Sequence, residues 1–202
     1  MTAPLSKKEF NSLIKKNITT HWYEKLCQHV KNLPSLKFLC CAFLPLGGSP
    51  HLIWTTCGSS PSAVRSASVQ AQLLSGRYRS DYLMSKWSGD SGACTLPGCN
   101  KYPDDIVHLL SGDCTSLRAV LVLNLTHGIS SLLPFPQLLS AVRTALEGDS
   151  EIWVQFLLDP FTDPQIIKIK QDFGLCAVKP ILTFTCSYIW CMHRNRMRKK
   201  GL

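Results

Sequence analysis

Four residues near the middle of the chain have the types and spacing of a metal site: Cys94, Cys99, His108 and Cys114, in the order Cys-x4-Cys-x8-His-x5-Cys. Three thiolates and one imidazole match the tetrahedral, borderline-soft preference of zinc. Leu96-Pro97-Gly98 supplies a tight turn that lets the first two cysteines converge. Asp104 is placed to cap a short helix carrying His108. His108 and Cys114 are six residues apart, so one continuous helix would not align them, and Gly112 between them lets the chain swing back. The reading is one bound zinc ion. The competing reading is chance thiols in a chain of ten cysteines. Cys27, Cys40 and Cys41 lack matching partners and read as small buried apolar residues.

The same stretch contains Tyr102-Pro103-Asp104-Asp105. It imitates the tyrosine-x-aspartate-aspartate signature of reverse transcriptases. Paired carboxylates that hold two magnesium ions must sit on a hairpin between apolar strands. Here they follow a proline-bearing turn and lead into a helical pattern, with no third strand-borne carboxylate upstream. They read as helix-start residues. No Gly-x-Ser-x-Gly nucleophile elbow and no phosphate-cradling glycine loop is present. The chemistry expected is therefore ligation and binding, without catalysis and without a small-molecule substrate.

The partner is suggested by charge. Lysine and arginine number 22 against 13 acidic residues, a formal net charge of +9. An excess of this size points to a polyanion, nucleic acid ahead of an anionic membrane surface. The basic residues are grouped: Lys7, Lys8, Lys15 and Lys16 near the start, Arg65, Arg77, Arg79 and Lys86 in the middle, and Arg194, Arg196, Arg198, Lys199 and Lys200 at the end. Arg77, Tyr78 and Arg79, followed by Lys86 and Trp87, mix cations with rings as a nucleic-acid surface does, guanidinium on phosphate and ring on base. Arg194, Arg196 and Arg198 complete the candidate set for RNA or DNA. The alternative is that Tyr78, Tyr82 and Trp87 pack a core edge.

These residues need a scaffold. A chain that is 45% hydrophobic and 17% charged lies far from disorder and can form a core without staples. The first twenty residues carry no apolar run of signal-peptide type, so the expectation is an intracellular protein, nuclear or cytoplasmic, with reduced thiols. Ile181 to Met192 is apolar but short of the ~20 residues of a membrane span, which predicts a buried helix and no transmembrane segment. Helical spacing runs over 7–31, with Phe10, Leu13, Ile14, Trp22, Leu26 and Val30 as the apolar positions, and Pro34 ends it. The stretch 36–54 reads as irregular or short extended structure. Ser60-Pro61 starts a helix that Gly76 ends. Further helices are predicted over 116–125, 137–146, 151–158 and from Asp163-Pro164 to Gly174, and a last one from Pro180 into the basic tail. The fold class is mostly α, a helical domain with a small Cys-Cys-His-Cys zinc-knuckle-like insert. Three stretches follow: 1–60, helical with an irregular linker; 61–118, a helix with the Arg/Tyr block and the cluster; and 119–202, helical with a basic tail.

Several runs together carry a resemblance. They are Pro50-His51-Leu52-Ile53-Trp54, Gly58-Ser59-Ser60-Pro61, Gln70-Ala71-Gln72-Leu73-Leu74-Ser75-Gly76-Arg77-Tyr78-Arg79 and Trp87, then Cys94-Thr95-Leu96-Pro97-Gly98-Cys99 with His108-Leu109-Leu110 and Cys114. The chain resembles the C-terminal tail of the reverse-transcriptase polyprotein of non-LTR (LINE-type) retrotransposons. The likeness extends from Leu5-Ser6-Lys7 and His21-Trp22, through Phe156-Leu157-Leu158-Asp159-Pro160, to His193-Arg194. The resemblance implies a nucleic-acid-binding tail with a Cys-Cys-His-Cys zinc module on Cys94, Cys99, His108 and Cys114. It implies a truncated or domesticated remnant without the polymerase and endonuclease, hence no enzyme, and other retrotransposon proteins as possible partners.

Overall fold

The computed structural model describes residues 6–40, 52–55, 60–96, 99, 103–111 and 136–200. In chain order these form α1 (Lys7–Asn32), a 3-10 turn (Pro34–Leu36), α2 (Leu52–Thr55), α3 (Pro61–Leu74), α4 (Asp81–Ser88) and α5 (Ile106–Ser111). Then come α6 (Pro136–Glu147), α7 (Ser150–Leu158), a second 3-10 turn (Pro160–Thr162), α8 (Pro164–Phe173) and α9 (Leu175–Lys199). No strand occurs among the described residues, so the mostly α class is observed; most of the stretch 36–54, read as irregular or short extended structure, lies outside the described residues. The helix expected over 116–125 lies outside the described residues.

Most helix ends follow from local chemistry. Ser6 and Glu9 form a capping box at α1. Asp149 and Asp163 cap α7 and α8 through hydrogen bonds to Ile152 N at 2.8 Å and Gln165 N at 2.8 Å. At the end of α3, Gly76 N–H bonds Leu73 O and Arg77 N–H bonds Gln72 O, the paired contacts of a Schellman motif. Gly76 has φ +66°, and a Cβ there would lie 2.6 Å from Ser35 Cβ, so only glycine lets the α3–α4 turn pass over the first 3-10 turn. Ser60 holds the N-cap position of α3, but its hydroxyl pairs with Ser62 Oγ at 2.8 Å, so Pro61 marks that start by itself.

The core is built around α9, which packs on α3, α7 and α8. Its buried face includes Val178, Ile181, Leu182, Tyr188, Ile189 and Met192. Trp153 of α7 is fully buried and meets Tyr188 edge-on at 5.4 Å. Each such side chain contributes roughly 1.5–3 kcal/mol. Gln70 of α3 is also fully buried and donates to Leu157 O and Leu158 O at 3.1 and 2.9 Å, while Cys186 Sγ donates to its Oε1 at 2.9 Å. This satisfies the last carbonyls of α7. The cluster of buried side chains runs from Phe38 to Met192 and so draws on all three stretches of the chain.

Two expectations need correction. α9 begins at Leu175 and runs through Pro180, which sits inside the helix. Proline removes one hydrogen bond there, to Cys176 O, and the helix continues through it with Val178, Ile181 and Leu182 buried on either side. The 25-residue α9 is thus long and apolar enough to cross a membrane by length and composition, yet 44% of its most apolar window is buried within the fold. The second correction concerns α1. The helix is where its spacing put it, but it has no buried residue, and Phe10 and Trp22 are 52% and 65% exposed. Periodicity reports a helix; it does not guarantee a partner surface within the same chain.

Asp159, between α7 and the second 3-10 turn, makes the fold pH-sensitive. Its Oδ1 accepts Phe161 N–H at 3.2 Å, and its buried Oδ2 has no hydrogen-bond partner among the described residues. Burial pushes its carboxyl up to about 6, against the Phe161 bond and the Lys170 charge. The folded chain therefore holds this proton more tightly than the unfolded chain. The resulting stability is full below the ordinary value near 3.8 and is lost as pH rises through about 6. Asp159→Asn should be more stable than the parent at neutral pH, by on the order of 2–3 kcal/mol, and should flatten the decline between pH 4 and 6. Urea denaturation across that range checks this; a parent slope retained in the variant counts against it.

Candidate metal centre

Cys94 lies in the loop between α4 and α5. Gly89 (φ +77°) closes α4, and the Gly92 carbonyl accepts Asp104 N–H at 3.0 Å, which folds the loop back on itself. Cys94 and Leu96 are buried. Cys99 N–H bonds Leu96 O at 3.1 Å, and this turn returns Cys99 toward Cys94. His108 is presented by α5, where Asp105 Oδ1 accepts His108 N–H at 2.9 Å. The helix cap is therefore Asp105, one residue later than the sequence suggested.

Cys99 Sγ lies 3.3 Å from His108 Nε2, and the donor atoms of Cys94, Cys99 and His108 all lie within 4.8 Å of one another. Tetrahedral zinc, with bonds of about 2.3 Å to sulfur and 2.0–2.1 Å to nitrogen, needs donor separations of about 3.5–3.8 Å. The three side chains can hold a metal ion with little adjustment. Cys114, the fourth predicted ligand, lies outside the described residues.

A buried ionic clamp fixes this loop to α9. Asp104, fully buried, accepts from Asp81 N at 2.8 Å and from Arg196 Nη1 at 3.0 Å, and its Oδ2 also meets Arg196 Nη2. Arg196 Nη2 lies 3.2 Å from Asp81 Oδ2. Asp81 in turn accepts from Thr95, from N at 3.0 Å and from Oγ1 at 2.7 Å, and pairs with Lys200. Thr95 adjoins Cys94, so the clamp reaches the first ligand. Burial opposes the Asp81 charge, but the bonds from Lys200 and Thr95 outweigh it and hold the carboxyl below its usual range. Burial likewise opposes the Arg196 charge, and Asp104 overcomes it, leaving the guanidinium more firmly protonated than usual. Asp81 and the true role of Asp104 were not foreseen.

The predicted nucleic-acid residues divide in two. Arg77, Arg79, Lys86, Trp87, Arg194 and Arg198 are exposed, Trp87 at 73%. Tyr78 and Arg196 are corrections: both are buried rather than on the exposed basic surface. Arg196 serves the clamp. Tyr78 Oη is 3.0 Å from His193 Nδ1, and the two rings meet edge-on at 5.8 Å. Burial, chiefly, pushes the Tyr78 phenol up to about 12, and burial pulls His193 down, aided by Arg196. The contact lays the 77–79 segment against α9. Arg77 and Arg79 adjoin Tyr78 in sequence, and Arg194 adjoins His193. Among the described residues none of these exposed arginines is paired with a carboxylate. Compared with known proteins, the chain matches no protein-family model, no curated protein and no solved structure, so its function has to be read from this site.

Proposed function

We propose that the chain is a non-catalytic nucleic-acid-binding module, for RNA or DNA, with one zinc ion held by Cys94, Cys99, His108 and Cys114. Its origin, on the resemblance, is the tail of a non-LTR retrotransposon polyprotein. The observation that carries this reading is the Tyr78–His193 contact, which joins two distant segments that each carry exposed arginines, in a chain that also holds a Cys/His group. Zinc would add folding free energy to a loop that has few apolar residues of its own. The arginines would bind phosphate, and Trp87 would offer its face to a base. A helical protein-interaction domain is the second reading, favoured by the exposed apolar residues of α1.

Two measurements test the proposal. Elemental analysis of protein purified without added metal should find one zinc per chain, lost in a Cys94→Ser/Cys114→Ser variant. Fluorescence anisotropy with a labelled single strand should give an affinity that falls steeply with salt, by roughly 0.7 in log–log slope per phosphate neutralised. Changing Arg77, Arg79, Arg194 and Arg198 together to alanine should flatten that slope by about 2–3. Affinity that ignores salt would support the interaction-domain reading.

A further inference from the structure

A cavity of about 310 Å³ lies between the first 3-10 turn, the α3–α4 turn, α4 and the start of α5. Phe38, Tyr82 and Val107 line it; Phe38 is 5% exposed and belongs to the core, so the half-buried Tyr82 is the ring placed to present a face. Lys37 and Lys86 also line it, and Asp105 contributes a carboxylate. This volume is at the small end for ligand sites, suited to one planar ring system with its sugar rather than to an extended molecule. Aromatic walls bind such rings by stacking, and do so with any base. Lys37 Nζ lies 4.8 Å from the Phe38 ring centroid and Lys86 Nζ lies 5.0 Å from that of Tyr82, so a cation accompanies each ring. Lys37 is paired with Glu151 at 2.7 Å, but both side chains are well exposed, and a phosphate can replace so solvated a partner at little cost. Asp105 already accepts His108 N–H through Oδ1; a carboxylate has further acceptor capacity for a base-edge N–H.

We infer that this cavity takes a single unstacked nucleobase, with its phosphate at Lys37 and Lys86. The inference rests on the nucleic-acid reading above and adds to it where a base goes. It also ties the pocket to the metal group, because Val107, in the pocket wall, precedes His108 on α5. A metal that fixes α5 fixes that wall. Only a strand with a free base can fill the pocket, so single strands should be preferred over duplex. A free nucleotide offers the same chemistry without a strand.

The test uses the full chain and a short single strand carrying 5-iodouracil, with anisotropy for affinity and photocrosslinking with peptide mapping for the base. Crosslinks should map to Tyr82. Val107→Phe, which fills the cavity, should erase them and weaken single-strand binding by about tenfold, the worth of one stacked base, while duplex binding is unchanged. Should Val107→Phe not fold, as read by thermal melting, Lys37→Gln should lower the single-strand preference with the fold intact. Adenosine monophosphate in excess should compete away the crosslink if a free nucleotide enters the same pocket; if it does not, entry requires a strand. Crosslinks elsewhere, with both variants binding as the parent does, overturn the pocket and leave the basic surface standing. A chain that binds neither strand, duplex nor nucleotide overturns both readings together.

Discussion

Arg196→Ala should destabilise the chain by about 3–5 kcal/mol, the cost typical of removing one partner from a buried ion pair. Asp104 is fully buried, and Arg196 is 3% exposed. Without the guanidinium, Asp104 keeps, among the described residues, its hydrogen bond from Asp81 N, and Asp81 loses a cation at 3.2 Å. Proteins of this size have only 5–15 kcal/mol to lose, and each kcal/mol shifts the melting point by about 2–4 °C. A fall on the order of 10 °C is expected. The pairing, rather than the bulk of the side chain, carries the effect, so Arg196→Met should fare nearly as badly. Replacing both partners, Arg196→Met with Asp104→Leu, should recover much of the loss, because two charges then leave the interior together. Urea denaturation of the two single variants and the double closes the cycle. A single-variant cost under about 1 kcal/mol would show that water reaches the clamp.

Removal of the metal is the second large effect. On the zinc reading, chelation or Cys94→Ser withdraws an apparent binding free energy of about 10–16 kcal/mol from the loop, the range found for structural zinc in finger peptides. Cys94 is buried, so serine there also leaves a hydroxyl in place of a thiolate inside the fold. The damage should nonetheless be local. α3, α7, α8 and α9 bury Leu73, Trp153, Ile166 and Ile181 against one another, and α5 joins the same core with Leu109 and Leu110. Hydrogen exchange should therefore accelerate most over 89–96 after chelation and less over α5, while amides of α7 and of 181–192 in α9 stay protected. Acceleration throughout would mean that the loop and core unfold as one unit; no change would remove the metal from Cys94, Cys99 and His108.

What could be read from the chain alone was what neighbours in sequence decide. Pro61, Asp163-Pro164 and Gly174 mark helix ends because capping and proline geometry act within a turn. The Cys94, Cys99 and His108 group was legible because turns and a short helix can close it over a few residues. Asp104 with Asp105 was legible only as a helix start, and the one-residue error in the cap hid the role of Asp104. No local signal could have revealed that role, since its partner Arg196 is 92 residues away. Tyr78 misled for the same reason: a tyrosine between two exposed arginines has a surface composition, and only His193, 115 residues on, takes it inside. The helical spacing of α1 showed the helix but gave no information about what, if anything, covers it.

α9 also works as a gauge of length and phase. Tyr188 seats in the core and Arg196 seats in the clamp, eight residues apart on one unbroken helix. That interval is about 12 Å and a little over two turns. One inserted or deleted residue between them would turn Arg196 by about 100° away from Asp104 and slide it by about 1.5 Å. Arg194 and Arg198 face outward and have no such fixed station. Within one short basic run, two arginines are thus free to vary in identity, while the third is bound to its register, so the tail should accept substitution far more readily than a change of length.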